Sequence, residues 1–247
     1  MIKNTVLVLS GKGGVGKSTV SANLAAMLAR AGHKTGLSDI DLHGPSIPAL
    51  FGIEKENLTG SENTINPYIY NQNLKIVSMG LLLEDKDSPV VWRGPMKAGF
   101  IKRFMQDTQW GDLDYLIVDC PPGTGDELLS VIGDSENLKG VIIVTTPQKL
   151  AVIDARKAIR FCKEIKLPVL GVVENMSGFV CEKCGEINQP FLIGGGELLA
   201  KEENAPYLGS IPLDRKVIES AEQGKPFVEL YAGSASSENF AKIFEKF

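Results

Sequence analysis

The chain of 247 residues is poor in cysteine, has no long apolar run and carries no excess of basic residues. Its four cysteines are too few for a disulfide framework, which favours a reducing setting. No apolar run approaches the roughly 18–20 residues that a membrane-spanning helix needs. The net charge of −4 offers no basic surface of the kind that attracts nucleic acids or anionic lipids. We therefore expect a cytoplasmic protein that binds neither membranes nor nucleic acids.

Short apolar runs alternate with helical patterns along the chain. Several runs are apolar throughout, as in parallel strands that are buried on both faces. The seven strand candidates begin at Thr5, Lys34, Leu74, Asp114, Gly140, Pro168 and Tyr207. Helical periodicity follows Lys17 and recurs from Met96 to Met105. This alternation predicts an α/β fold, a doubly wound and mostly parallel sheet with helices on both faces, forming a single domain over residues 1–247.

The stretch GKGGVGKST lies between the first strand candidate and a helical pattern. Gly11, Gly16, Lys17 and Ser18 satisfy the phosphate-loop pattern G-x-x-x-x-G-K-[ST]. Glycines let backbone N–H groups converge on phosphate oxygens, and the helix N-terminus adds a partial positive charge. We expect Lys17 to reach the β- and γ-phosphates, Ser18 to coordinate Mg²⁺ and Thr19 to contact the α-phosphate. The predicted nucleotide-binding residues of the loop are Gly11, Lys12, Gly13, Gly14, Val15, Gly16, Lys17, Ser18 and Thr19.

Three aspartates follow strand candidates. Asp39 and Asp41 lie in LSDIDLHG, and Asp119 lies in LIVDCPPGTGD. Ligands of open α/β sheets bind at the carboxyl ends of the strands, so these carboxylates are expected near the phosphate loop. We predict that Asp39 and Asp119 support Mg²⁺ and that Asp41 orients the water that attacks the nucleotide. The alternative is that these aspartates only cap the helices that follow them.

Cys181 and Cys184 form a CxxC pair in the stretch GFVCEKCGEIN. Thiolate sites for zinc or iron–sulfur clusters usually have four ligands, so this pair supplies half of one site. Thiolates suit both metals, and no second pair lies at zinc-ribbon spacing. A redox dithiol is a further alternative, although no helical pattern starts at Cys181.

The other two cysteines and the two histidines are assigned no metal role. Cys120 and Cys162 fall within apolar patterns and are expected to be packed thiols. His33 and His43 have no partner at metal-ligand spacing.

The phosphate loop also contains Lys12, and GKGGVGKS resembles the signature of the deviant Walker-A ATPases, the group of MinD, ParA and the nitrogenase iron protein. Within this group the chain is similar to the Mrp/NBP35/ApbC branch, the iron–sulfur cluster carrier proteins. The resemblance rests on DIDLHGPSIP, VWRGPM, WGDLDYLIVDCPPGTGD, TTPQ, NMSGFVCEKCGE and LGSIPLD, between about residues 4 and 226. The stretch QPFLIGGGELLAKEE keeps the family's glycine run, whereas Leu192 and Ile193 depart from its pattern.

The resemblance implies a slow, Mg²⁺-dependent ATPase that works as a homodimer. It implies that Lys12 reaches the partner's nucleotide and acts in catalysis together with Lys17 and Asp41. It also implies that Asn175 contacts the adenine and that Pro212, Leu213 and Asp214 lie around the base.

The resemblance further implies a [4Fe–4S] cluster held between two subunits by Cys181 and Cys184 of each. Zinc is a possible substitute in the isolated protein. The cluster would come from a donor protein and pass to recipient apoproteins.

Two other functions remain open. A positioning ATPase of the MinD/ParA type, with a structural zinc clasp at the dimer interface, would need a membrane-targeting helix or a basic DNA-binding face. The C-terminal stretch SSENFAKIFEKF places four apolar residues on one helical side, Phe240, Ile243, Phe244 and Phe247. We expect this helix to pack on the protein's own core, because its charges balance. An electron-transfer ATPase like the nitrogenase iron protein would take its cysteines from widely separated segments.

Overall fold

The computed structural model describes residues 1–42, 44–61, 63–82, 94–180, 183 and 186–246. The strands are β1 (Ile2–Ser10), β2 (Thr35–Asp39), β3 (Thr59–Ser61), β4 (Thr64–Asn66), β5 (Tyr68–Ile69), β6 (Leu74–Ser78), β7 (Leu113–Asp119), β8 (Leu138–Thr145), β9 (Val169–Val180), β10 (Ile187–Asn188) and β11 (Tyr207–Leu213). The helices are α1 (Lys17–Arg30), α2 (Ile47–Phe51), α3 (Gly94–Asp107), α4 (Asp126–Asp134), α5 (Lys149–Glu164), α6 (Gly195–Glu202), α7 (Arg215–Glu222), α8 (Phe227–Leu230) and α9 (Ala235–Phe244).

Nine strands form one sheet in the order β10-β9-β8-β1-β7-β2-β6-β5, with β11 paired to β9. All pairs are parallel except β5 with β6 and β10 with β9. Each of the seven strand candidates lies in this sheet. The continuously apolar runs of β1, β7 and β8 occupy its centre, where both faces are covered. The remaining strands, β3 and β4, form a separate hairpin within the polar stretch after residue 54.

Helices cover both faces of the sheet, as the doubly wound prediction requires. Alternation along β1 directs Val6 and Val8 into one apolar core and Leu7 and Leu9 into the other. The first core also receives apolar side chains of α1, α2, α8 and α9. The second receives those of α3, α4, α5 and α6. The predicted fold class is therefore confirmed, and the carboxyl ends of the central strands lie together at one edge.

The C-terminal helix α9 packs on the core. Phe240 and Ile243 are buried, and the Phe240 ring lies 6.0 Å from that of Phe227 in α8. Phe247 lies outside the described residues. Among the described helices, none has the length and apolar character needed to cross a membrane.

Cys120 and Cys162 are both fully buried, as expected for packed thiols. Burial raises the pKa of Cys120 and raises that of Cys162 to about 11. His33 packs edge-on against the ring of Tyr115, with 5.3 Å between ring centroids. His43 lies outside the described residues.

Candidate nucleotide-binding site

The phosphate loop joins the end of β1 at Ser10 to the start of α1 at Lys17. Gly14 and Gly16 adopt left-handed conformations, with φ of 80° and 83°, which side chains disfavour. A Cβ atom on Gly11 would lie 2.2 Å from the carbonyl carbon of Asp154 in α5. Because Gly11 has no side chain, the loop can lie directly against α5.

A cavity of about 250 Å³ opens beside this loop at the carboxyl edge of the sheet. It is lined by Ser10, Gly13, Gly14, Gly16, Lys17, Ser18, Thr19, Asp41, Gly44, Ser46 and Pro122. The lining combines the N-terminus of a 14-residue helix, the Lys17 ammonium and the hydroxyl side chains of Ser10, Ser18, Thr19 and Ser46. These donors fit an anionic phosphate group.

Asp119 is fully buried at the end of β7 and lies among three side chains of α1. Its Oδ1 atom lies 2.8 Å from Lys17 Nζ and accepts a hydrogen bond of 2.7 Å from Ser21 Oγ. Its Oδ2 atom accepts one of 2.6 Å from Ser18 Oγ. The predicted Mg²⁺ ligands Ser18 and Asp119 are thus adjacent. Sequence reasoning missed Ser21, whose position three residues after Ser18 places it on the same helix face.

Asp39 lies directly beside Asp119 in the sheet, since the two residues are paired across β2 and β7. Its carboxylate accepts hydrogen bonds from Ser78 Oγ at 2.8 Å and from the backbone N–H groups of Asp41 and Ile47. Burial, and after it the negative charge of Asp119, raise the pKa of Asp39 to about 7. Neither Asp39 nor Asp119 lines the cavity, whereas Lys17 and Ser18, which contact Asp119, do.

Asp41 and Lys12 lie closer to solvent. Asp41 lines the cavity, and its Oδ1 accepts a hydrogen bond of 3.3 Å from the Gly44 backbone. Lys12 is half-buried, and its carbonyl accepts a hydrogen bond from Ser10 Oγ. No carboxylate in the described part of the chain forms an ion pair with the Lys12 ammonium.

The residues expected near the base lie in two places. Asn175, in β9, is buried and donates a hydrogen bond of 2.8 Å from Nδ2 to the carbonyl of Val15 in the phosphate loop. Pro212, Leu213 and Asp214 line a second cavity of about 200 Å³. Asp214 also begins α7, where its Oδ1 accepts a hydrogen bond from the Lys216 N–H. The adenine contact of Asn175 and the position of residues 212–214 around the base both remain predictions.

The predicted thiolate ligands Cys181 and Cys184 lie outside the described residues. In the flanking chain, β9 and β10 pair antiparallel, with Val180 opposite Ile187 and Phe179 opposite Asn188. The CxxC pair therefore falls in the sequence that joins two paired strands. Across the described ranges, no group of three or more His, Cys, Asp or Glu residues is placed to hold a metal ion. A Mg²⁺ site here would depend on few protein ligands together with phosphate and water, which is usual for this ion.

Sequence comparison identifies the family of the chain. The model of a family described as ParA, the NUBPL iron-transfer P-loop NTPases, matches residues 1–247. A cytosolic Fe–S cluster assembly factor, a NUBP2 homolog of Nematostella vectensis, is 49% identical, with 99% of this chain and 92% of the relative covered. An iron–sulfur cluster carrier protein of Methanocaldococcus jannaschii is 46% identical, with 99% of this chain and 84% of the relative covered.

Comparison with solved structures agrees with this family assignment. A nucleotide-binding protein from Archaeoglobus fulgidus, in complex with ADP, is 39% identical with a TM-score of 0.79, covering 92% of this chain and 88% of that chain. The septum site-determining protein MinD of Pyrococcus horikoshii, complexed with Mg-ADP, is 25% identical with a TM-score of 0.73, covering 100% and 96%. The resemblance read from the motifs is thereby confirmed, and the chain belongs to the ParA family, among the NUBPL iron-transfer P-loop NTPases.

Proposed function

We propose that this protein is an ATP-hydrolysing iron–sulfur cluster carrier. The homodimer would bind one [4Fe–4S] cluster between the Cys181 and Cys184 pairs of its two copies and pass it to apoproteins. The observation that carries the proposal is a cavity lined by phosphate-loop residues in the same chain as a CxxC pair, in a family whose relatives are named as cluster carriers and assembly factors. The relative from Nematostella vectensis is described as cytosolic, which supports a cytosolic role here.

The nucleotide half of the proposal rests on the surroundings of Asp119. Ser18 and Asp119 offer a hydroxyl and a carboxylate side by side, a donor set that fits Mg²⁺. When bound with ATP, Mg²⁺ offsets the negative charge of the phosphates. Lys17 lines the same cavity, and its ammonium would move from Asp119 to the phosphate oxygens.

Hydrolysis needs a positioned water molecule. Asp41 lines the cavity beside the phosphate loop and would accept a hydrogen bond from the attacking water. Lys12, which forms no ion pair with the described carboxylates, would contact the nucleotide of the partner copy and offset charge there. We expect slow turnover, because conformational steps limit many nucleotide-dependent switches.

The cluster half of the proposal rests on ligand number. Two thiolates per chain are half of a four-thiolate site, and a two-fold dimer doubles any pair that lies at its axis. A cluster shared between two chains can leave when the chains separate, as a carrier requires. Zinc binds the same kind of ligand set and is the competing occupant.

A positioning ATPase of the MinD type is the competing function, because that protein shares the fold over the whole chain. The position of α9 argues against a positioning ATPase. Phe240 and Ile243 are buried in the core rather than exposed for a membrane surface.

The deciding experiment is anaerobic reconstitution with iron and sulfide, followed by chemical assay of both elements. About four iron and four sulfide per dimer are expected, with the broad visible absorption of a cluster, and transfer to an apoprotein should follow. The Cys181→Ala/Cys184→Ala variant should lose both elements while its ATPase activity stays within about twofold of the wild type. Cys162→Ala removes a buried thiol instead and should retain the cluster. Binding of zinc by the same cysteines, with no sulfide, would contradict the carrier function. It would indicate a dimer that is held together by zinc.

A further inference from the structure

Strand β9 is divided into two parts by a short irregular segment. From Val169 to Glu174 it pairs with β8 inside the sheet, and Phe179 and Val180 pair with β10. Between these parts, Met176 and Gly178 adopt left-handed conformations, with φ of 57° and 71°. A left-handed conformation is costly for a residue with a side chain such as Met176. We define the β9 joint as residues 176–178. Strand β11 pairs with β9 on both sides of this joint, with Ile211 opposite Asn175 and Leu213 opposite Phe179, and the register of the pairing shifts between them.

The residue before this joint is bound to the phosphate loop. Asn175 Nδ2 donates to the Val15 carbonyl at 2.8 Å. A Cβ atom on Gly16 would lie 2.1 Å from the same Nδ2 atom, so the two segments are in close contact. The peptide between Val15 and Gly16 is planar and trans, so its N–H points away from its carbonyl. Asn175 therefore holds the orientation of a peptide whose N–H belongs to a cavity-lining residue, Gly16.

The preceding residue, Glu174, forms hydrogen bonds on the opposite face of the strand. Its carboxylate is fully buried and accepts hydrogen bonds from Ser177 Oγ at 2.5 Å, Gly194 N at 2.9 Å and Gly196 N at 2.5 Å. Within the described part of the chain these partners are a hydroxyl and two backbone amides, with no basic side chain among them. The amides lie at the N-terminus of α6, where the helix dipole favours a negative charge.

The glycine run at residues 194–196 makes this contact possible. A Cβ atom on Gly195 would lie 2.5 Å from the carbonyl oxygen of Pro147, and one on Gly196 would lie 3.0 Å from Glu174 Cβ. Larger residues would push α6 away from β9 and remove the amides from the carboxylate. The run is thus explained by close packing at Glu174, which sequence reasoning did not single out.

Neighbouring side chains in a strand point to opposite faces, so Glu174 and Asn175 attach the same strand end to two different segments. A shift of the phosphate loop on nucleotide binding would reach Asn175 directly. Because Glu174 is fixed to the glycine run, the strand cannot slide, and the movement would be taken up in the β9 joint. We infer that Glu174 is a positioning residue that couples nucleotide binding to the cysteine pair through this joint. The inference rests on the proposed carrier function and assigns its coupling to specific residues.

The test uses Co²⁺ as a probe, because its visible absorption reports coordination by thiolates. The apparent Kd of Co²⁺ is measured on the full chain with and without MgADP. The ratio of the two values should be at least about fivefold in the wild type, the lower end of usual coupling between sites. Glu174→Gln places an amide N–H toward backbone donors and should bring the ratio close to one. Its affinity for MgADP alone should change by less than about threefold.

Glu203→Gln is the matched control. Glu203 follows the other end of α6, and its carboxylate accepts hydrogen bonds from Arg156 and Arg160 in α5. The same substitution there should lower stability yet keep the wild-type ratio, so a merely structural effect is separated from lost coupling. Ser177→Ala, which removes one of the three hydrogen bonds to Glu174, should give an intermediate ratio even if Glu174→Gln fails to fold.

A wild-type ratio of one, or an unchanged ratio in Glu174→Gln and Ser177→Ala, would overturn the inference. Either result leaves the carrier function standing if iron and sulfide still bind in reconstitution. Loss of iron and sulfide binding by the wild type would instead remove the carrier function, whatever the Co²⁺ ratio.

Discussion

The phosphate loop and the paired strands that flank the CxxC pair are built in opposite ways. The loop follows the central strand β1, and the Asp119 carboxylate beside it contacts Lys17, Ser18 and Ser21 of the same chain. The strands β9 and β10 lie toward one margin of the sheet, and their described residues share two residue pairs.

This contrast separates two chemical demands. Phosphate chemistry depends on groups that are already in place, because reorganising them during the reaction is costly. A cargo site must open, so it is better placed toward the margin of a sheet than at its centre. Substitutions on the nucleotide side should therefore change turnover or stability, and Lys17→Ala should do so without changing metal binding at the cysteine pair.

The largest expected effect is that of Lys17→Ala. Removing the ammonium from the cavity should lower ATP turnover by at least about 100-fold, the scale of losing one preorganised charged donor. Steady-state phosphate release measures it. In the nucleotide-free protein, Co²⁺ affinity should stay at the wild-type value, because Lys17 pairs with Asp119 in β7 rather than with a residue of β9.

Lys157→Ala is the control, since this lysine forms an ion pair with Asp154 on the surface and is 72% exposed. Its turnover should match the wild type. Normal turnover in Lys17→Ala would remove the phosphate role of that residue.

The next effect concerns the rigidity of the loop. Gly16→Ala would place a methyl group 2.1 Å from Asn175 Nδ2 at a residue with φ of 83°. The backbone strain and the displaced hydrogen bond together should lower the free energy of unfolding by about 2–4 kcal/mol, measured by urea denaturation.

Gly13→Ala is the matched variant in the same loop. No atom lies within 4 Å of its added Cβ, and its φ is outside the left-handed region. Its stability should remain within about 0.5 kcal/mol of the wild type. Equal losses in the two variants would contradict the packing described around Gly16.

The smallest effect is the pH dependence contributed by Asp39. Its folded-state pKa of about 7 lies above the unfolded value of roughly 3.9, so the folded protein binds the additional proton. The stability that Asp39 contributes is full below about pH 4 and is lost as pH rises through 7.

Urea denaturation of the nucleotide-free wild type and of Asp39→Asn at several pH values tests this. The stability of the wild type relative to the variant should fall by about 1 kcal/mol per pH unit between pH 5 and pH 7. It should be constant above about pH 8. A difference independent of pH would show that Asp39 keeps an ordinary pKa.

Much of the fold could be predicted from the sequence, because the central strands are encoded locally. The apolar runs of β1, β7 and β8 are uninterrupted, and the phosphate loop has four fixed residues between a strand and a helix. Such signals require no knowledge of the strand order.

The contacts that organise the site could not be predicted in the same way. Lys17 and Asp119 are distant in sequence and meet only because β1 and β7 are neighbours in the sheet. The length of β9 was also missed, since its last residues follow a left-handed Met176 that no periodicity indicates. A signal for Glu174 did exist, because a carboxylate inside the apolar run VVEN must find buried hydrogen-bond donors.

The burial of Cys120 and Cys162 has a practical consequence for measuring cargo occupancy. Both thiols are inaccessible in the native protein, and burial raises their pKa values, so few reactive thiolates form near neutral pH. Alkylation of the native protein should therefore leave these two cysteines unmodified. Any label incorporated before denaturation would come from Cys181 and Cys184, and the same reagent applied after denaturation would give the total of four. The chain thus provides its own internal standard for a thiol titration of the carrier site.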